Sequence, residues 1–439
     1  MVGDERPVPE AAAGGTLIVG ASQAGLQLAV SLRQLGDSSP ITLVGEEPYA
    51  PYQRPPLSKE YLSGASDLTS VDFRAPGFYE ESGIDLVVGE RVTGVTLSGN
   101  GNGSMAGAGS GVALTASGRR LPFARLALTV GAAPRRLAVP GAELAGVCLL
   151  RDRDDAVRLR ARLHDAARVV VVGGGFIGLE AAAAARGLGK EVTVVESAAR
   201  LMGRAVAEVL SAFYLAAHRR RGTRVLLSTT VTAFTGDRDG RVTGVRLDDG
   251  TLLPADLVVV GVGAAPRTEL ARALGLVCED GIVVDVDART SNPAICAAGD
   301  CTTQPHPMTG EGRVRLESVQ NAVAQAHTAA ATLLGAPRQA RPVPWFWSHQ
   351  GDLKLQIAGL AIGHDDHVVR GDPDSERFCV LYYRGGTLLA ADAVNSPADY
   401  MAVRTALTRG VAVPREAAAD PGVPLKSVLT ARPDAVLPT

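Results

Sequence analysis

The run Val169-Val170-Val171-Val172-Gly173-Gly174-Gly175-Phe176-Ile177-Gly178-Leu179-Glu180 decides the fold. Four β-branched residues enter a Gly-x-Gly-x-x-Gly turn and the small helix formers Ala181 to Ala185 follow, so the motif marks a strand handing over to a helix. In that setting Gly173 allows the tight turn, Gly175 lets backbone approach a pyrophosphate and Gly178 lets the helix pack close on the strand. The helix N-terminus adds unpaired N–H groups and positive potential. A lone Gly-x-Gly-x-x-Gly is weak evidence. Here the next apolar run, Val192-Thr193-Val194-Val195, ends in Glu196, at the spacing of an acid that grips a ribose 2′-hydroxyl. A dinucleotide site is therefore expected. A carboxylate at 196 accepts from a 2′-hydroxyl and repels a 2′-phosphate, which favours NADH over NADPH, with Arg200 and Arg204 near enough to soften the preference.

A weaker copy lies near the start. Thr16-Leu17-Ile18-Val19 enters Gly20-Ala21-Ser22-Gln23-Ala24-Gly25, an amphipathic helix runs from Leu26 to about Leu35, and the strand Ile41 to Val44 is followed by Glu46 and Glu47, either of which sits where the ribose acid belongs. Ser22 replaces the middle glycine. Two such motifs call for two dinucleotides. The halves repeat further on: Ser117 to Arg135 aligns with Asp249 to Arg267, and both end in Gly-Ala-Ala-Pro-Arg. Each nucleotide fold is thus expected to contain a β-hairpin excursion and a closing strand whose glycine turn passes near its own cofactor. Thr129, Arg135 and Gly263 are the candidate contacts there.

Length and composition bound the reading. The 439 residues suffice for two to four domains. Aromatics make up only 4% while glycine contributes 50 residues, which suits close-packed α/β layers rather than an aromatic-rich sandwich. A net charge of −2, with both signs interspersed, gives no sign of a nucleic-acid or anionic-membrane partner. No apolar run reaches bilayer length, since Leu252 to Val262 is interrupted by Pro254 and Asp256. The acidic start, Met1 to Gly15, lacks the apolar core of a signal peptide and reads as a disordered lead-in. Five cysteines, none in Cys-x-x-Cys, point to reduced thiols in a cytoplasm; Cys296 and Cys301 lack the partners of a zinc set, so no metal is expected.

Other stretches carry local expectations. In Tyr52-Gln53-Arg54-Pro55-Pro56-Leu57-Ser58-Lys59 the paired prolines predict a rigid extended path that holds Arg54 and Lys59 in place. The low-complexity run Ser98 to Gly111 reads as a flexible hairpin tip. A helix is expected from Ala205 to Arg221, its terminal Arg219, Arg220 and Arg221 complementing the helix dipole. Another is expected over Val314 to Leu334, after a strand that ends in Gly299-Asp300, where a carboxylate suits a sugar-alcohol chain. From Pro337 the composition shifts to Pro344-Trp345-Phe346-Trp347-Ser348-His349 and strand-like segments, an α+β domain with a tail only partly ordered beyond Pro414.

Taken together, Arg54 to Lys59, Gly173 to Glu180, the Gly-x-Gly-x-x-Pro turn at Gly261, Gly299-Asp300, Glu317-Ser318-Val319 and Pro344 to Ser348 resemble the FAD- and NADH-dependent ferredoxin reductases that serve oxygenases and cytochromes P450. The likeness covers roughly Leu17 to Leu425. It implies an α/β chain with two Rossmann-like nucleotide-binding domains and a small α+β C-terminal domain. The lead-in would span 1–13, the FAD domain 14–137 and 264–335, the NAD domain 138–263 and the C-terminal domain 336–439. Gly20, Ser22, Gly25 and Glu46 would hold the adenine half of FAD, Arg54 and Lys59 would reach its pyrophosphate and flavin side, Asp300 would bind the ribityl chain, Val319 would offer backbone near the flavin ring and Trp347 would wall it. Glu180 would lie near the nicotinamide and Lys59, the two forming the catalytic charge pair.

The implied activity is hydride transfer from NADH to FAD, then single electrons to a [2Fe–2S] ferredoxin met transiently through charge, by a monomer or weak dimer. Arg313, Arg315 and Lys354 are candidates for a basic docking patch. No cysteine precedes Cys148, so the dithiol of a disulfide reductase is missing from the flavin region. Two other readings remain: an NADH oxidase or a rubredoxin- or ascorbate-radical-directed reductase, and a non-catalytic NADH-sensing flavoprotein. His349 stands where many relatives carry Asp, and the glycine-rich run at Ser98 looks like an insertion.

Overall fold

The computed structural model describes residues 14–98 and 109–430. The lead-in and the interior of the glycine-rich run therefore lie outside the described residues, although the strands flanking that run, Val92–Leu97 and Gly111–Thr115, do pair as an antiparallel hairpin. The described chain divides into two compact units, one of 14–53, 72–98, 109–132 and 266–341, the other of 54–71, 133–265 and 342–430.

The first unit is built on a five-stranded parallel sheet in the order Ile295–Ala297, Arg125–Leu128, Thr16–Val19, Ile41–Val44, Ile84–Val87. Both faces are covered, which is why its strands are continuous apolar runs rather than alternating ones. Leu17 and Val19 enter one hydrophobic cluster with the hairpin residues Leu121 and Phe123, while Ile18 enters another on the opposite face. On that face the helix Gln23–Gln34 packs on Val319–Leu334, and the alanines Ala29, Ala326, Ala329 and Ala330 let the two backbones come close. The second helix begins at Val319, capped by Ser318, whose hydroxyl accepts the Asn321 N–H at 3.1 Å. This is later than expected from composition, because Arg313–Val314 is drawn into strand pairing with Thr302–Pro305.

The second unit repeats the plan. Its parallel sheet runs Arg224–Leu226, Glu191–Val195, Arg168–Val172, Leu257–Val260, Val147–Cys148, so first, second, third and closing strands occupy the same places as in the first unit. Val169 and Val171 point to one cluster, Val170 and Val172 to the other. Burying each such side chain contributes about 1.5–3 kcal/mol, and the neighbouring strand Leu257–Val260 is buried just as fully. The aligned repeat is literal: Arg120–Phe123, Arg125–Leu128 and Ala132–Pro134 correspond to Leu252–Pro254, Leu257–Val260 and Ala264–Pro266. Each hairpin excursion is a three-stranded antiparallel sheet.

The same unit contains a five-stranded antiparallel sheet ordered Trp345–Gln350, Leu353–Gly359, Thr387–Val394, Arg377–Arg384, Asp366–Asp372. Phe378, Val380 and Tyr382 face the valine cluster of the nucleotide fold, while Cys379, Leu381 and Tyr383 face the helix Pro397–Arg409. The stretch after Pro414 is tied down as far as Thr430. The buried guanidinium of Arg370 donates to the carbonyls of Ala418, Asp420 and Val423, and a helix forms over Arg415–Ala419.

Candidate functional site

In the first turn Gly20 has φ +117°, and a Cβ there would come within 2.2 Å of the Thr129 carbonyl oxygen. A Cβ on Gly25 would lie 2.0 Å from the Gly20 carbonyl oxygen. Thr129 closes this turn by donating its hydroxyl to Gly20 O at 2.8 Å. Ser22 caps the helix with an extended backbone, φ −133° and ψ −154°, so a side chain costs nothing at the position of the missing glycine. Ala21 fills space against Gly45, where a Cβ would come 2.6 Å from that of Ala21. The acid therefore appears one residue later, as Glu46, whose carboxylate pairs with Arg267 and, at 3.5 Å, with Arg91. Glu47 instead accepts the Tyr52 hydroxyl.

The second turn is the same construction with different residues. Gly173 has φ +106°, and a Cβ there would meet Gly261 O at 2.4 Å; one on Gly178 would meet Gly173 O at 2.1 Å. Among the described residues, a Cβ on Gly175 would meet nothing within 4 Å beyond its chain neighbours, which leaves the open approach to backbone that a pyrophosphate needs. Glu196 follows its strand directly and accepts backbone N–H groups on both oxygens, from Gly174 at 2.6 Å and Ala198 at 2.7 Å. Arg200 donates to Val206 O (2.7 Å), Gly203 O (2.6 Å) and the Ser211 hydroxyl (2.9 Å). Arg204 lies over Gly263, 3.1 Å from where its Cβ would be. Arg135 is on the same turn, with its backbone N–H on Gly263 O at 2.9 Å and its Nε on Ala264 O at 3.2 Å.

Within the second unit lies a buried ion pair. Lys59 Nζ sits 2.8 Å from Glu180 Oε2, their side chains 9% and 1% exposed. Ser58 donates to Oε2 at 2.5 Å and Ser348 to Oε1 at 2.6 Å, so the carboxylate is satisfied on both oxygens, as a buried charge must be. Gln350 continues the chain from Ser348 (3.3 Å) to His218 (2.8 Å), whose burial lowers its pKa and keeps it neutral. Ser58, Ser348 and Gln350 were not singled out from sequence. Ser58 and Ser348 adjoin Lys59 and Trp347 in the sequence, whereas nothing local marks Gln350. The paired prolines do not make an extended path: Pro55–Ser58 is a 3₁₀ turn, because φ fixed near −65° suits the first positions of a helical turn equally well. Arg54 opens that turn and donates to Arg151 O at 3.0 Å.

Among the remaining candidates, Asp300 follows Gly299, at φ +87°, whose N–H is received by the buried Gln325 at 2.8 Å. Val319 is the first residue of its helix, and Trp347 stands on the strand Trp345–Gln350 with its ring 5.6 Å from that of Trp345. Burial pushes the thiols of Cys296 and Cys301 up to about 12, and they belong to different clusters. Arg220 and Arg221 are consumed by Glu376 and Asp352. Arg315 pairs with Asp280 and Glu317 and is largely buried, so it is not free for a basic patch. No helix among the described residues is long and apolar enough to cross a membrane.

The profile of the pyridine nucleotide-disulphide oxidoreductase family matches residues 15–326, and that of the reductase C-terminal family matches 345–429. Rhodocoxin reductase of Rhodococcus erythropolis is 44% identical over 418 residues, 95% of each chain. The crystal structure of the ferredoxin reductase for the CYP199A2 system of Rhodopseudomonas palustris is 42% identical with a TM-score of 0.88, covering 94% of this chain and 99% of that one. The reductase in the covalent putidaredoxin reductase–putidaredoxin complex is 38% identical with a TM-score of 0.89, covering 95% of this chain and 98% of that chain. With two dinucleotide turns, a closing strand in each fold and a C-terminal sheet all in place, this chain belongs to the pyridine nucleotide-disulphide oxidoreductase family, as one of its FAD- and NAD(P)H-dependent ferredoxin reductases.

Proposed function

We propose that this chain takes hydride from NADH onto bound FAD and hands the electrons singly to a [2Fe–2S] ferredoxin that feeds a cytochrome P450 or a Rieske oxygenase. One observation carries the reading: two built dinucleotide turns share a chain that has no cysteine ahead of Cys148, so the electrons have no dithiol to pass through. Bound FAD supplies the hydride acceptor and the step from an electron pair to single electrons. The protein residues bind, orient and set charge. In this reading Gly20, Ser22, Gly25, Thr129 and Glu46 hold the adenosine and pyrophosphate of FAD, Asp300 takes the ribityl chain and Val319 faces the ring. Arg54 and Lys59 reach its pyrophosphate and flavin side, and Trp347 walls the isoalloxazine. Gly173, Gly175, Gly178, Glu196 and Gly263 hold NADH, and Arg135 joins them through the Gly263 turn that it contacts.

Lys59 and Glu180 act as a charge pair that tunes the flavin and positions nicotinamide. Neither has to donate or abstract a proton, because hydride moves between the two cofactors directly. The domain plan that goes with these roles is FAD domain 14–137 and 264–335, NAD domain 138–263 and C-terminal domain 336–439, in a cytoplasmic monomer or weak dimer. It is supported by the strand Ile295–Ala297, which returns after the second fold to pair with Arg125–Leu128 of the first sheet.

The test is NADH-driven cytochrome c reduction with and without added [2Fe–2S] ferredoxin. Activity that depends on the ferredoxin is the expected result. Equal rates without it, with oxygen consumed instead, would make the chain an oxidase.

A further inference from the structure

The first fold cannot hold its acid in the way the second does. In the second fold the residue that directly follows the strand is Glu196, and it is fixed by the N–H of Gly174, a position with no side chain to obstruct it. In the first fold the register partners Val19 and Val44 correspond to Val172 and Val195, so Ala21 and Gly45 stand where Gly174 and Glu196 stand. The Ala21 methyl occupies the contact, the acid moves on to Glu46, and guanidinium groups take over from backbone N–H groups. One of them, Arg267, does not come from the first half of the repeat at all. It follows the second fold's closing segment, and its backbone N–H reaches Gly131 O at 3.0 Å, while its counterpart Arg135 reaches Gly263 O at 2.9 Å. The two arginines of the repeat have exchanged turns.

We propose that Arg267 is the positioning residue for FAD in the first fold: it holds the Glu46 carboxylate in place to accept the adenosine ribose hydroxyls, the task that backbone performs for Glu196. The proposal rests on the FAD reading of that turn. It assigns the adenosine end of the site a side-chain clamp that is open to salt, since Arg267 and Glu46 are 38% and 41% exposed.

FAD release from the purified holoenzyme, followed by the rise in free-flavin fluorescence, tests it. R267Q should release FAD about three- to tenfold faster than wild type, a range set by the loss of one half-exposed, charge-assisted contact, and R267E faster still. R267K should stay close to wild type. Added salt should speed release from wild type more than from R267Q. The double variant E46Q/R267Q should release no faster than E46Q alone, and NADH affinity should be unchanged throughout. A purely structural role for Arg267 would not give lysine rescue together with non-additivity at Glu46. Release that ignores residue 267, or effects of E46Q and R267Q that simply add, would overturn the proposal while leaving the FAD reading intact. A wild-type chain that holds no FAD would overturn both.

Discussion

The turns at Gly20 and Gly173 are the same backbone built twice, and the differences between them separate what the fold needs from what each cofactor needs. Shared are the residues a Cβ would wreck: Gly20 and Gly173 against the closing strand, Gly25 and Gly178 against the turn itself, each with a carbonyl oxygen within 2.0–2.4 Å of the missing atom. Different are Ser22 against Gly175, Glu46 against Glu196, and, on the helices that follow, Gln27 against Glu180. Gln27 is half-buried and bonds its own helix through Ser31. Glu180 is buried with a lysine and two hydroxyls on it. The two turns share their backbone, and at this helix position only the second fold carries a buried charge.

The largest expected effect comes from erasing that last difference. Glu180→Ala takes the counter-charge from the largely buried Lys59 and leaves its Nζ with Pro55 O at 3.3 Å and the Ser58 hydroxyl at 3.5 Å, which should cost about 3–5 kcal/mol, read from denaturant unfolding of the holoenzyme. The reverse change at the matching place, Gln27→Glu, should stay within about 0.5 kcal/mol because that side chain still reaches water. Equal losses in the two variants would mean that the helices are not distinguished by charge.

Gly25→Ala and Gly178→Ala come next. Each forces a methyl onto a carbonyl oxygen and should cost about 1–3 kcal/mol, but the ligand lost should differ. Gly25→Ala should purify with depleted flavin absorbance, and Gly178→Ala should keep its flavin and lose NADH binding by fluorescence titration. Loss of flavin in both would contradict the assignment of one cofactor to each turn.

How much of this was legible in the sequence depends on whether the cause is local. The valine run, the glycine spacing and the Gly-Ala-Ala-Pro-Arg repeat are local, and they announce the two nucleotide folds and the paired hairpins. The burial of Glu180 is not, because two of its donors, Ser58 and Ser348, are distant in the chain and meet only through tertiary packing. Nor is the exchange of Arg135 and Arg267: the repeat suggests that each turn serves its own fold, while the hydrogen bonds put each arginine's N–H on the other turn's glycine carbonyl. The paired prolines misled for a different reason, since a fixed φ is compatible with both an extended path and the 3₁₀ turn observed.

Glu196→Ala tests the acid. It removes the brace on the Gly174 N–H and, on the proposed reading, the ribose acceptor with it, and should raise the Kd for NADH about tenfold, equivalent to about 1.4 kcal/mol. NADPH should gain nothing, because Arg200 is already committed to Val206, Gly203 and Ser211 and cannot turn to a 2′-phosphate. An alanine variant that binds NADPH as tightly as wild type binds NADH would show that Arg200 is released, or that Arg204 suffices.

The smallest effect on stability, and the finest test of the comparison, is to exchange the middle residues. Both positions are helix N-caps with extended backbone, Ser22 at φ −133° and Gly175 at φ −82°, and neither conformation excludes a side chain. Ser22→Gly should therefore shift the melting free energy by only a few tenths of a kcal/mol, the usual serine-to-glycine difference at an N-cap, and Gly175→Ser by a similar amount in the opposite direction. Binding should respond differently. Among the described residues, nothing beyond its chain neighbours and its own helix backbone lies within 4 Å of a Cβ built on Gly175, so a serine there should offend only what binds in front of it. An NADH affinity that falls in Gly175→Ser while the melt does not move places the pyrophosphate against that backbone. An affinity that holds would mean that the second turn tolerates the serine which the first already carries, and that the glycine at 175 is inherited rather than required.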